Sequence, residues 1–167
     1  MSTSTLVPLA EYLNTSYRPD CDYLEGELLE RNVGEWDHSR LQGSLIHFLM
    51  SREKQLGILA VPEQRVQVRA KRFRVPDIAV LIGERPSGPI VRTPPFLCIE
   101  ILSPSDRMSE MQERIDDYLE FGVPHVWAIY PTNRRAFIYA SGEVREAKDG
   151  ILTTSNPDIR VPLADLD

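Results

Sequence analysis

Cysteine, histidine and long apolar runs are all scarce in this sequence, and each scarcity closes off a class of protein. Only two cysteines occur, Cys21 and Cys98, and they do not form a metal-spaced pair, so neither a disulfide nor a zinc site is expected. Cys98 lies inside an apolar run, where a reduced, buried thiol is the expectation. No stretch approaches the roughly 20 apolar residues that cross a bilayer. Met1 to Glu11 shows neither a basic leader nor an apolar core, which leads us to expect a cytoplasmic protein. Positive charge is also in deficit. With 19 Lys and Arg against 25 Asp and Glu, the net charge of -6 excludes a protein that coats nucleic acid non-specifically.

A local basic run stands out against that deficit. From Arg65 to Arg74 the chain reads RVQVRAKRFR, with Arg65, Arg69, Lys71, Arg72 and Arg74 and no acid among them. Either a phosphate contact or a solvated hairpin with a basic tip accounts for it equally well.

At 167 residues and 42% hydrophobic, the chain is long enough for one sizeable core and short for two ordinary domains. A single domain over 1–167 is expected, with a preface over 1–35, a core over 36–140 and a C-terminal hairpin and tail over 141–167. Leu6 to Leu13 suits a short helix, and Cys21 to Arg31 a hairpin turning at Glu25-Gly26. Leu41, Leu45, Phe48, Leu49 and Leu56 recur at helical spacing, which predicts one helix capped by Asp37 and stopped by Gly57. Two runs follow, Val61 to Arg69 and Arg74 to Ile82, predicted as an antiparallel hairpin whose second strand is apolar on both faces. After a loop rich in Gly and Pro, Phe96 to Leu102 reads as another central strand. A helix behind Ser103-Pro104 carries Met108, Met111, Ile115, Tyr118 and Leu119 as its buried stripe and ends at Gly122. His125 to Tyr130 and Ala136 to Ala140 are further strands. The expected class is α/β.

Two residues break the apolar pattern. Asp77 and Glu100 each sit in a strand that is otherwise apolar, and an unpaired buried carboxylate is too costly for folding alone to place there. If the strands are neighbours, both carboxylates can face one side at one height and hold a hard divalent cation such as Mg²⁺ or Mn²⁺. The bland alternative is ion pairing, of Asp77 with Arg74 or Lys71 and of Glu100 with Arg107 or Arg114.

The stretches Arg74-Val75-Pro76-Asp77-Ile78-Ala79-Val80, Ile99-Glu100-Ile101-Leu102-Ser103-Pro104-Ser105 and Tyr118 to Trp127 resemble the PD-(D/E)XK nucleases. Within them, the chain is most similar to the Uma-type putative restriction endonuclease family. The likeness extends upstream through Asp22-Tyr23-Leu24-Glu25-Gly26-Glu27 and His38. It implies a restriction-endonuclease-like core, a mixed central sheet with flanking helices, in which Asp77, Glu100 and the Ile101 carbonyl bind the metal. Metal-activated water would hydrolyse a phosphodiester in DNA, leaving a 5′-phosphate. DNA is favoured over RNA, and cutting both strands of a duplex implies a homodimer.

One departure from the pattern matters. The superfamily places a lysine two residues after the second acid, where this chain has Leu102, and many Uma-type relatives carry it on the following helix, where this chain has Arg114. Taking Met111 as reference, Arg114 lies about 60° and Arg107 about 40° to one side of the apolar stripe, so either can reach Glu100. Arginine can hold a phosphate or stabilise charge but cannot accept a proton. His38, at the start of the first long helix, is the remaining catalytic candidate, as a proton shuttle or as a packing residue. Gln64 is expected to turn inward beside Val66 and Val68; His47, His125, Trp127 and Tyr118 are expected to be structural. Without the lysine, a catalytically weak or inactive member that serves as a nucleic-acid-binding or protein-interaction module is the alternative to a metal-dependent endonuclease.

Overall fold

The structure is a computed structural model and describes residues 5–166. Helix α1 (Leu9–Leu13) follows Pro8, and strands β1 (Asp22–Leu24) and β2 (Glu27–Leu29) form a hairpin through Glu25-Gly26. Both turn residues have positive φ, 48° and 105°, as a two-residue hairpin with right-handed strand twist requires. Helices α2 (Trp36–Met50) and α3 (Glu53–Leu56) come next, then strands β3 (Ile58–Pro62), β4 (Val66–Arg69), β5 (Arg72–Arg74), β6 (Ile78–Ile82) and β7 (Leu97–Ile101). Helix α4 (Met108–Phe121) leads to β8 (His125–Ile129), β9 (Ala136–Ala140), β10 (Glu143–Glu146), β11 (Ile151–Thr153) and β12 (Arg160–Pro162), and a 3-10 turn over Leu163–Asp165 follows.

Three predicted elements are divided. The helix expected from Asp37 to Gly57 is two helices, because Arg52 leaves helical geometry (φ -115°) and folds back over the Phe48 ring, 3.6 Å from its centroid, while donating to the Phe48 carbonyl. The cap position belongs to Glu35, and Asp37 lies within the first turn, where its charge suits the helix dipole. Gly57 does end α3, in the left-handed region. The two expected long strands are each split, at Pro62-Glu63 and at Pro76. Proline has no N–H to give a ladder, and Glu63 takes a positive φ of 49°.

That splitting builds two sheets in place of one meander. Strands run in the order β10-β9-β8-β7-β6-β3 in a six-stranded sheet and β2-β1-β5-β4 in a four-stranded one, with β11-β12 a separate pair. The large sheet is mixed: β7 and β8 are parallel, joined by α4, and the other neighbours are antiparallel.

Alternation along the central strands supplies both faces with a core. Ile78, Val80, Leu97, Ile99 and Ile101 pack against Leu41, Leu45 and Leu49 of α2, and Leu152, Val161 and Leu163 extend that layer. Cys98, Leu102, Val126 and Ala128 meet Met111, Ile115 and Tyr118 of α4 on the other face. Tyr12, Tyr23 and Phe73 tie α1 to the small sheet. Both cysteines are buried and unpaired. Among the described residues no helix is long and apolar enough to cross a membrane.

Leu45 has no solvent exposure at the centre of the α2 layer. Leu45→Ala is expected to destabilise the protein by about 2–5 kcal/mol in urea unfolding, the range for buried leucine truncation; a change below about 0.5 kcal/mol would mean α2 does not pack as described.

Candidate active site and metal centre

Antiparallel pairing of β6 with β7 sets Ile78 against Ile99. The next pair of positions outward is Asp77 and Glu100, and both share the sheet face that carries Cys98 and Leu81. The two carboxylates, each 1% exposed, therefore stand together at the edge of the α4 core layer. Both line a polar cavity of about 10 Å³, with Arg31, Asn32, His38, Ile101, Asp106 and Arg114 completing its wall.

Every carboxylate oxygen has a donor. Asp77 Oδ1 meets Arg31 Nη2 and lies 3.2 Å from His38 Nε2, and Oδ2 accepts from the Ile101 N–H at 2.7 Å. Tyr118 donates to Glu100 Oε1 at 2.6 Å, and Arg114 Nη1 reaches Oε2 at 3.3 Å. His38 arrives here because it extends the buried stripe of Leu41, Leu45 and Leu49 by one turn, and Gln42 fastens the same helix by donating to the Asp77 carbonyl at 3.0 Å. Arg114 arrives from α4, where Asp22 draws its Nε to 3.4 Å.

The expected partners of Asp77 are corrected. Neither Arg74 nor Lys71 reaches it; Arg31 does, from the loop after β2. Arg107 does not approach Glu100, being the exposed residue that caps α4. Gln64 lies outside β4 and donates to the carbonyls of Pro89 and Arg65, turned away from the acids. His125 is buried against Phe96, with ring centroids 4.9 Å apart, and Trp127 is in the core, whereas His47 is exposed on α2.

Most of the basic run is engaged in ion pairs within the fold. Arg74, 1% exposed, bridges Asp22 and Asp117; Arg72 is buried against Asp117, Glu113 and Glu25. Arg65 chelates Asp20 with two nitrogens and covers the Tyr12 ring. Arg69 pairs with Glu120 at the surface, and Lys71 remains exposed. Acids that are distant in sequence (Asp20, Asp22, Glu25, Glu113, Asp117 and Glu120) consume the charge that the local pattern displays.

Charge sets the two acids apart. Burial works to raise the Asp77 carboxyl, but Arg31 and His38, with the Ile101 N–H, outweigh it and hold it below its ordinary value. Burial dominates at Glu100, Arg114 opposes it, the Asp77 charge adds to it, and the carboxyl is pushed up to about 7. His38 is held toward its imidazolium form: burial disfavours the charge, and the Asp77 carboxylate more than compensates.

Does this donor set fit a hard divalent ion? Each carboxylate oxygen has two lone pairs. Two are taken on Asp77 Oδ1, which leaves one on Oδ2 and one on each oxygen of Glu100. Among the described residues there is no group of three or more His, Cys, Asp or Glu arranged to hold a metal. An ion here would rely on two carboxylates, a backbone carbonyl and water, as Mg²⁺ commonly does. Burial raises the Glu100 carboxyl and outweighs the opposing Arg114, Arg31 and Tyr118, and a cation would favour its charged form. The residues fit such an ion.

Arg31, Asp22 and Tyr118 had no individual signal in the sequence. Asp22 and Arg31 flank a short hairpin, and Tyr118 reads as one more apolar residue of a stripe; only long-range packing gives them polar partners.

The family model described as "Putative restriction endonuclease" and named Uma2 matches residues 9–160. A crystal structure of a putative nuclease belonging to DUF820 from Anabaena variabilis ATCC 29413 superposes with a TM-score of 0.80 at 24% identity, covering 96% of this chain and 97% of that one. The mixed sheet with its flanking helices is thus a shared fold. No curated protein matches the chain.

Glu100 has a folded-state value above its unfolded one, so protonation favours the fold; its contribution is full below pH about 4.5 and is lost as pH rises through about 7. Glu100→Gln cannot ionise. Urea unfolding at pH 5 and pH 8 is expected to show wild type losing stability relative to Glu100→Gln over that interval, by on the order of a few kcal/mol. Parallel pH curves for the two proteins would contradict the assignment.

Proposed function

Because the chain belongs to the Uma2 family of putative restriction endonucleases, we propose that it is a nuclease that hydrolyses phosphodiester bonds in DNA, using a divalent cation held by Asp77 and Glu100. The observation that carries this reading is the convergence of those two buried acids, opposite one another on adjacent strands, on one small polar cavity. Asp77, Glu100 and the Ile101 carbonyl would hold Mg²⁺ or Mn²⁺. Such an ion supplies Lewis-acid stabilisation of the phosphoryl oxygens and a nucleophile at neutral pH.

The chain's own residues do the rest. Arg31 fixes Asp77, and the Ile101 N–H fixes its other oxygen, so the carboxylate keeps one orientation without side-chain reorganisation. Tyr118 does the same for Glu100. Arg114 stays protonated and therefore stabilises phosphate charge without accepting a proton. His38, kept toward the imidazolium form beside Asp77, is placed to hold or donate a proton at Nε2, as a departing 3′ oxygen requires. Two copies would supply two sites for a double-strand cut.

A second reading has its own observation. Arg31 and Arg114 already pair with the acids, and no lysine stands at Leu102 or Arg114. In that reading the same pocket binds nucleic acid without cutting it.

One assay separates the two. With Mg²⁺ or Mn²⁺, the purified protein is expected to nick supercoiled DNA, and Asp77→Ala and Glu100→Ala are each expected to lower the rate at least about 100-fold, the scale of removing a key transition-state contact. Binding without nicking supports the second reading. Nicking that survives both substitutions removes the assigned site.

A further inference from the structure

A second cavity, of about 240 Å³, opens beside the acids. Its walls include Leu102, Met111, Met108 and Tyr130, and Asp106 and Arg107 stand at its rim. Asp106 also lines the small cavity that holds Asp77 and Glu100, so the two spaces share a wall.

The fold makes a ligand site there reasonable. Ligands of α/β sheets sit beyond the carboxyl ends of parallel strands. β7 and β8 are the parallel pair, α4 is their crossover, and a bond from the Leu102 N–H to the Ile129 carbonyl (2.8 Å) carries the pairing past their ends. Leu102 and Tyr130 therefore stand side by side where such a ligand would enter.

The lining is specific in its chemistry. Leu102 and Met111 are buried, and Met108, 65% exposed, offers its thioether to the Tyr130 hydroxyl at 3.5 Å. Thioether and aromatic surfaces suit a flat π system. At the rim, Asp106 receives Asn32 on one oxygen and the Ser103 N–H on the other, leaving a lone pair on each for an N–H of the ligand. The Arg107 side chain is exposed and makes no ion pair or hydrogen bond among the described residues, its carbonyl alone accepting from the Met111 N–H, which leaves the guanidinium for a phosphate. The volume lies below the roughly 300–1,000 Å³ of sites for drug-sized molecules and suits a single ring system.

We propose that this cavity is a nucleobase subsite, taking one unstacked base of the substrate strand while the neighbouring phosphate faces Asp77 and Glu100. The proposal rests on the nucleic-acid reading above and extends it. Tyr130 and the two methionines contact the ring, Asp106 accepts from its amino or imino N–H, and Arg107 meets the backbone. A base can enter only from a single strand or after extrusion from a duplex. The site accordingly favours unpaired DNA.

Methionine provides the test. The chain has four methionines; Met108 and Met111 line the subsite, and Met50 borders a separate groove. Protein labelled with ¹³C at the methionine methyls is mixed, in EDTA, with a short single-stranded DNA or with an abasic strand of equal length. The base-bearing strand is expected to move the Met108 and Met111 signals upfield and leave Met50 in place. The abasic strand is expected to leave all three in place and to bind roughly 5- to 100-fold more weakly, the range for losing one stacked base. Tyr130→Ala should weaken the base-bearing strand and leave the abasic one unchanged.

Equal methyl shifts with both strands would overturn the subsite, as would binding of the base-bearing strand without any shift at Met108 and Met111. In both cases nucleic-acid binding itself stands. Failure of both strands to bind would overturn that reading together with this one.

Discussion

A buried chain of alternating charge holds this molecule together and creates its site. Arg72 and Arg74 share Asp117; Arg74 and Arg114 share Asp22; Arg114 continues to Glu100, and Asp77 beside it is closed by Arg31 and His38. These residues come from the first hairpin and the loop after it, the small sheet, the start of β6, the adjacent strand β7, α2 and α4. Removing one member of a buried pair leaves an uncompensated charge and typically costs about 3–5 kcal/mol. The preface hairpin, which carries Asp22 and leads into Arg31, is consequently part of the site's framework.

The same chain explains how acids survive inside an acidic protein. Four arginines face four carboxylates, Asp22, Asp77, Glu100 and Asp117, so the interior is close to neutral while the net charge of -6 resides elsewhere. Neutrality is not uniform. Asp77 receives Arg31 and His38 together and is well compensated, whereas Glu100 depends on one guanidinium at 3.3 Å and a neutral phenol. The pair is thus one firmly ionised carboxylate and one that a cation would bring to full charge. Next to it, the apolar space between Tyr130 and the methionines offers the chemistry that a charged site lacks.

What could be read from the sequence follows physical range. Apolar periodicity reports local geometry, so α4, β7 and β8 were legible, and so was the incongruity of Asp77 and Glu100 within apolar strands. Their pairing entered only as a condition of the shared metal site, and the ladder between β6 and β7 meets it. Arg74 shows the limit. In sequence it is the end of a basic run; in the fold its partners, Asp22 and Asp117, lie 52 and 43 residues away. Pro62 and Pro76 were visible, yet the apolar pattern ran through both and hid the division into two sheets. Arg31 and Tyr118 gain their roles only when distant elements meet.

In the proposed nuclease, Asp77 and Glu100 form one binding unit for a divalent cation. Electron paramagnetic resonance of free Mn²⁺ during titration with the protein measures this without reference to any substrate. One ion is expected to bind per chain, with binding lost in Asp77→Asn and in Glu100→Gln alike, because neither acid alone supplies the charge. An unchanged free Mn²⁺ signal, or binding that persists in both variants, would contradict the account.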